Sequence, residues 1–302
     1  MNSIGSSIFA LLLWPGLIGG TLLGWLYMWF IRKLSARVQG RQGPPFYQPF
    51  FDFVKLLGKE TILPGNVSRV LYFGLPAVSL LSMVFALTLI PVPGNPVKEF
   101  PGDLIVFIYL LEMPAICCIL AGFTTRSPYG QVGASREAMM TLAYNLPFLA
   151  AVIALAVHAG SFSLVTLASA PLSWVSLAAA LAFLVSLPAK LKSNPFSIAN
   201  AEQEIVAGSH TEYSGIALAL FELSHALELV ALIDLFAILF LSPFSGGWIT
   251  WPVFAVLSLA VVVLLTLIGT ATARLKINQA FRFYWGWGAA AAALAVVIAV
   301  IG

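Results

Sequence analysis

Residues 8–31 read IFALLLWPGLIGGTLLGWLYMWFI, and residues 32–41 follow at once as RKLSARVQGR. A helix needs about 20 mainly apolar residues to cross a bilayer, so the first stretch is long enough to span. The second places Arg32, Lys33, Arg37 and Arg41 where that span would end. The same succession recurs along the chain, giving spans near 8–31, 70–91, 104–123, 137–158, 173–189, 216–241, 252–272 and 284–301. Fourteen of the fifteen Lys and Arg residues fall in alternate gaps between these eight runs, and only Lys98 falls in the other set. Short loops rich in Lys and Arg stay on the cytoplasmic side. The pattern predicts eight transmembrane helices with both termini outside. The first run is read as a retained helix and not a signal peptide, because its basic cluster follows the apolar segment and does not precede it.

Composition agrees: 60% hydrophobic and 9% charged residues, with a mean hydropathy of +0.97, describe a bilayer-embedded chain. The expected fold is an all-α integral membrane protein in which residues 1–302 form a single membrane domain. Strand alternation is absent, which argues against the closed barrel, the other structure that can satisfy its backbone in lipid. The net charge of +3 is accounted for by orientation, so no nucleic-acid partner is expected. Cys117 and Cys118 are adjacent in an apolar run, without metal-ligand spacing, and neither a phosphate-cradling Gly-rich loop nor a Gly-x-Ser-x-Gly turn is found. We therefore expect no catalytic, metal or cofactor-binding residue on this chain. Gly16, Gly20 and Gly24 recur every fourth residue and predict close approach of a neighbouring helix.

The first cytoplasmic gap contains Arg41-Gln42-Gly43-Pro44, then a segment in which Gln48, Asp52, Lys55 and Lys59 share one helical face before Glu60, with Phe and Leu filling the rest. That predicts an amphipathic interfacial helix serving as a lipid anchor or a docking surface. The third gap, 190–215, is the most polar stretch of the chain. Its Glu202, Glu204, His210, Glu212 and Tyr213 suit partner docking or proton relay.

Glu112, Glu222, Glu228 and Asp234 lie within apolar runs, and Glu137 sits at the cytoplasmic start of another. A charge near the bilayer centre costs about 2.5–3.5 kcal/mol on insertion scales, so such groups face a bundle interior, pair, or sit protonated. Glu222, His225 and Glu228 recur every third residue and form a stripe on one helix face. Histidine titrates near neutrality, so His225 is a candidate shuttle. Asp234 projects away from the stripe and carries little weight. Arg136 beside Glu137 could pair across helices.

Gly-Arg-Gln-Gly-Pro-Pro over 40–45, with Gln48-Pro49, Asp52, Lys55 and Lys59-Glu60, resembles the first-loop signature of the H-type membrane subunit that respiratory complex I shares with energy-converting nickel-iron hydrogenases. Glu202-Gln203-Glu204 through Thr211-Glu212-Tyr213-Ser214-Gly215 resembles that family's other signature. Ser135-Arg136-Glu137, the 221–229 helix and the 273–281 segment look closest to the formate hydrogenlyase branch. The resemblance implies a membrane anchor and ion-coupling subunit of a ferredoxin- or formate-linked [NiFe] hydrogenase complex in the cell inner (plasma) membrane, moving protons or sodium. Implied partners are hydrogenase large and small subunits, an iron-sulfur subunit and antiporter-like membrane subunits, with the [NiFe] centre and iron-sulfur clusters on those chains. The alternative is the H-type subunit of complex I itself, forming part of a quinone chamber. Implied ion-coupling candidates are Glu112, Glu137, Glu202, Glu204, Glu212, Glu222, His225 and Glu228. Implied docking candidates are Arg41, Gln42, Gly43, Pro44, Asp52, Lys55, Lys59, Glu60 and Tyr213. Three positions depart from the family pattern, with Asn145, Ser197 and Asn200 standing where acids are usual. A proton route copied unchanged from complex I is not expected.

Overall fold

Each apolar run becomes a helix because a backbone in lipid must satisfy its own hydrogen bonds. The computed structural model describes residues 3–65, 67–96, 100–199, 202–241 and 249–301. Lys98, Asn200, most of the 242–251 loop and the side chain of Glu202 lie outside the described residues. The helices are α1 (Ser3–Leu12), α2 (Leu17–Val38), α3 (Gln48–Leu57), α4 (Arg69–Leu89), α5 (Asp103–Thr124), α6 (Pro128–Ala159), α7 (Leu164–Ser169), α8 (Trp174–Lys190), α9 (Glu202–Ile205), α10 (Gly215–Phe236), α11 (Thr250–Ala271), α12 (Ile277–Phe283) and α13 (Ala289–Ile301). No strand occurs among the described residues.

Seven helical segments are long and apolar enough to cross a membrane, and α8 is a shorter apolar helix of 17 residues. Together they match the eight runs read from the sequence. The first run is not one unbroken helix: α1 ends at Leu12 and α2 starts at Leu17, with Pro15 between them. Proline has no N–H to continue a helical ladder. α6 begins at Pro128 and not near 137, because Arg136 and Glu137 find partners and the helix extends two turns past the apolar stretch. The last span likewise begins at Ile277, running from α12 through a π-helical turn, Tyr284–Gly288, into α13.

Helix α10 is the axis of the bundle. In its apolar window 94% of residues are buried, against 33% for α11 and 28% for the last span. It packs against α2, α4, α5 and α11. Two of the three spaced glycines permit this. A Cβ on Gly24 would lie 2.7 Å from the Ala226 carbonyl oxygen, and one on Gly20 would lie 2.5 Å from Leu87 Cδ1 and 2.8 Å from Leu227 Cδ2. Gly16 instead meets the carbonyls of Ala10 and Leu11 in the break of the first span.

The amphipathic helix expected in the first polar gap is present as α3. Arg32 donates to Asp52 at 3.1 Å, Gln48 donates to the other Asp52 oxygen at 2.7 Å, and Trp25 packs on Phe50 and Phe53. Phe50, Phe51, Val54 and Leu57 are exposed on this chain. The helix stops at Gly58, so Lys59 falls in the following loop and not on the polar face expected for it.

Candidate functional site

The two polar loops singled out in the sequence are joined by the Tyr72 hydroxyl. It accepts from the Ser214 N–H at 3.1 Å and lies 3.3 Å and 3.2 Å from the carbonyls of Ile62 and Glu212. The Ile62 N–H donates to Ser214 Oγ at 2.9 Å, and the Ile216 N–H to Thr61 Oγ1 at 3.2 Å. Gly215, at φ +55°, lies so close to Lys59 and Thr61 that a side chain there has no space. Tyr213 is buried and stacks on Tyr72, with ring centroids 4.5 Å apart. The sequence suggests a docking role for it, but its ring secures the loop and offers no surface. Burial pushes its phenol up to about 12. Arg41, Gln42, Lys55, Lys59 and Glu60 are exposed on the same end of the bundle. Gly43 and Pro44 fold back on α2, where the Trp29 indole N–H donates to the Pro44 carbonyl.

Glu222, His225 and Glu228 do line one cavity. It measures about 50 Å³ and is completed by Ser79, Cys118, Lys192, His210 and Ser224. Along the stripe Glu222 is exposed, His225 is half-buried, and Glu228 is buried. The His225 Nδ1 lies 3.5 Å from Glu228 Oε2. That volume, with polar walls, admits water, which needs roughly 10–15 Å³ per molecule. The half-buried ring of His210 packs against Phe221, and its buried Nε2 has no protein partner. Burial and then the Lys192 charge lower its pKa to about 4.

Lys192 extends the cluster to α6, with Nζ 3.4 Å from Glu137 Oε1. Burial disfavours its charge, but Cys118, Glu137 and Glu228 around it raise its pKa overall. The turn at Gly208–His210 reaches this position because Gly133 on α6 has no side chain: a Cβ there would lie 2.6 Å from the Ser209 nitrogen.

Glu204 is outside the cavity. Arg136 donates to Glu204 Oε2 at 2.7 Å and Arg274 to Oε1 at 3.1 Å. The Arg136 hydrogen bond and charge, followed by the Arg274 charge, lower its pKa. Arg136 therefore pairs across elements, but with Glu204 and not with its neighbour. Glu212 contributes its backbone carbonyl to the Tyr72 junction.

Glu112 belongs to a second buried cluster. Its carboxylate forms an ion pair with Lys190, and Asn145 Nδ2 donates to the other oxygen at 3.0 Å. The Lys190 ammonium also lies over the Phe148 and Tyr144 rings, at 4.6 Å and 5.4 Å from their centroids. Sequence reasoning misses Lys190, since at the end of an apolar run it reads as an orientation charge. Asp234, given little weight by its position, is buried with the Tyr27 hydroxyl 3.4 Å away. Among the described residues, no three His, Cys, Asp or Glu side chains gather as metal ligands would.

A second, more apolar cleft of about 210 Å³ lies between α2, α3 and α10. Trp25, Met28, Phe53 and Leu56 line it together with Arg32 and Asp52, and Glu222 forms part of its wall. Glu222 thus borders both this cleft and the charged cavity.

A family model described as NADH dehydrogenase matches residues 13–300. The H-type NADH-quinone oxidoreductase subunit of Syntrophotalea carbinolica is 31% identical over 271 residues, covering 82% of this chain and 81% of its own length. The subunit of the same name from Rubrobacter xylanophilus is 32% identical over 231 residues, 72% of this chain and 69% of its own length. Among solved structures, a chain of the membrane-bound sulfane sulfur reductase, an archaeal respiratory membrane complex, has a TM-score of 0.89 at 32% identity, covering 98% of this chain and 99% of that one. The multi-pass architecture, the joined polar loops and this coverage agree: the chain belongs to the NADH dehydrogenase family, as an H-type membrane subunit of a complex I-like respiratory assembly.

Proposed function

We propose that this chain couples electron transfer in a docked peripheral arm to ion movement, and that it forms one wall of a quinone-binding chamber in a complex I-type assembly of the plasma membrane. Glu222 carries the reading, because one carboxylate borders both the apolar cleft under α3 and the charged cavity. Reduction of a quinone to a quinol takes up two protons with two electrons, so an acceptor head in that cleft would draw protons beside a titratable wall. His225, Glu228, Lys192 and Glu137 then supply successive sites that exchange protons or adjust to the changed charge. The names of the relatives from Syntrophotalea carbinolica and Rubrobacter xylanophilus support the quinone.

The nickel-iron hydrogenase reading is the second. Neutral Asn145 and Ser197 at positions where the family usually carries acids favour it, as does the likeness to a chain from a complex named for sulfane sulfur reduction and not for quinone. Mass spectrometry of co-purifying subunits, with quinone reduction assayed on the same sample, separates the two. A nickel-iron large subunit without quinone reductase activity would replace the first reading by the second. Labelling Lys276→Cys from each side of sealed vesicles tests the orientation, with labelling only from the cytoplasmic side expected.

A further inference from the structure

The cleft beside Glu204 has a use that docking and ion coupling do not require. It measures about 260 Å³ and is lined by Arg136, Arg274 and Lys276 with one carboxylate, Glu204, over an aliphatic wall of Ile198, Leu275 and Ile277. Three cations from a helix and a separate loop converge on it, and Glu204, though paired with both arginines, brings a single negative charge. A cleft of net charge about +2 with an apolar side is the complement of an amphiphilic anion, and basic pockets between spans on the cytoplasmic side bind anionic headgroups.

The surroundings say which kind of anion. Arg274 and Lys276 sit in the short connection between α11 and α12, where two membrane spans meet the interface. Two to three turns further on, Trp285 and Trp287 are 56% and 75% exposed, and Phe281 stacks on Trp285 with centroids 5.8 Å apart. Both tryptophans lie in the half of the last span nearest the basic loop, with their side chains exposed on its outer face. The basic cleft therefore opens beside a lipid-facing aromatic surface, along which acyl chains can lie.

We propose that this cleft binds the phosphate of an anionic phospholipid, with Arg136, Arg274 and Lys276 facing the headgroup and the α12–α13 surface carrying the chains. The intact complex in neutral detergent is titrated with phosphatidylglycerol brominated on its acyl chains, and tryptophan quenching is followed beside brominated phosphatidylcholine. Saturable quenching by phosphatidylglycerol, and not by phosphatidylcholine, is expected. Removing one cation in Lys276→Gln should weaken it roughly fivefold, as one interfacial charge does. Lys276→Arg should retain it, which guards against a folding defect. Equal quenching by both lipids would overturn the proposal, as would displacement by inorganic phosphate at matched concentration. Unchanged phosphatidylglycerol affinity in Lys276→Gln, with loss of the peripheral arm, would reassign the cleft to a protein partner.

Discussion

Lys190 and Glu112 hold each other inside the bundle, the ammonium 1% and the carboxylate 15% exposed. Asn145 takes the second carboxylate oxygen, in the position where the family pattern leads one to expect a further acid. With a neutral amide there, one lysine balances one glutamate and the local charge closes to zero.

Separating that pair is expected to be costly. Lys190→Met alone leaves a largely enclosed carboxylate without its cation, a loss of up to about 3–5 kcal/mol. Lys190→Met combined with Glu112→Leu removes both charges and should recover most of it. Thermal unfolding of the purified complex measures the difference; equal stability of single and double variants would show that the pair is not coupled.

Glu222→Gln and Glu228→Gln keep size and most hydrogen bonding while removing a titratable proton. Normal assembly with ion uptake per electron reduced by roughly tenfold or more is expected, from sealed vesicles assayed for both processes. Wild-type uptake in the double variant would exclude the stripe as an obligatory path.

His210 gives a pH signature. Its pKa falls from 6.5 unfolded to about 4 folded, because burial and then Lys192 oppose its charge. Between those values the unfolded chain binds the extra proton, so stability is complete above about pH 6.5 and is lost as pH falls toward 4. One group supplies a slope of about 1.4 kcal/mol per pH unit. His210→Gln should flatten that part of the profile of unfolding temperature against pH; an unchanged slope would mean that other groups govern it.

Tyr72→Phe tests the loop junction. The ring still stacks on Tyr213, but the Ser214 N–H and the Ile62 and Glu212 carbonyls lose the hydroxyl, at a cost of about 1–3 kcal/mol. Faster proteolysis at the 58–62 and 206–215 loops is expected in intact vesicles, together with weaker retention of the peripheral arm.

The spans are legible in the sequence because lipid forces helices on apolar runs, whatever their detailed order of residues. The stripe is legible too, since residues three apart share a helix face and a cavity needs only that face. Contacts between distant elements are not. Lys190 and Glu112 are 78 positions apart, and nothing local distinguishes a paired lysine from an orientation charge. The Tyr72 junction lies further still from local reading, because its partners are mainly backbone groups, which any residue supplies. The break at Pro15 follows from its missing N–H, a local property that the apolarity of the run outweighs.

Helix α10 is almost wholly enclosed by its neighbours, and this bears on how the chain is made. Glu222, Glu228 and Asp234 burden a segment that would otherwise partition readily, each acid costing about 2.5–3.5 kcal/mol when it enters lipid alone near the bilayer centre. Its companions appear at different moments of translation: Tyr27, Ser79 and Lys192 emerge before it, whereas α11 comes after. The nascent sixth crossing thus leaves the translocon toward a half-built cradle of earlier helices, and α11 closes the enclosure from behind.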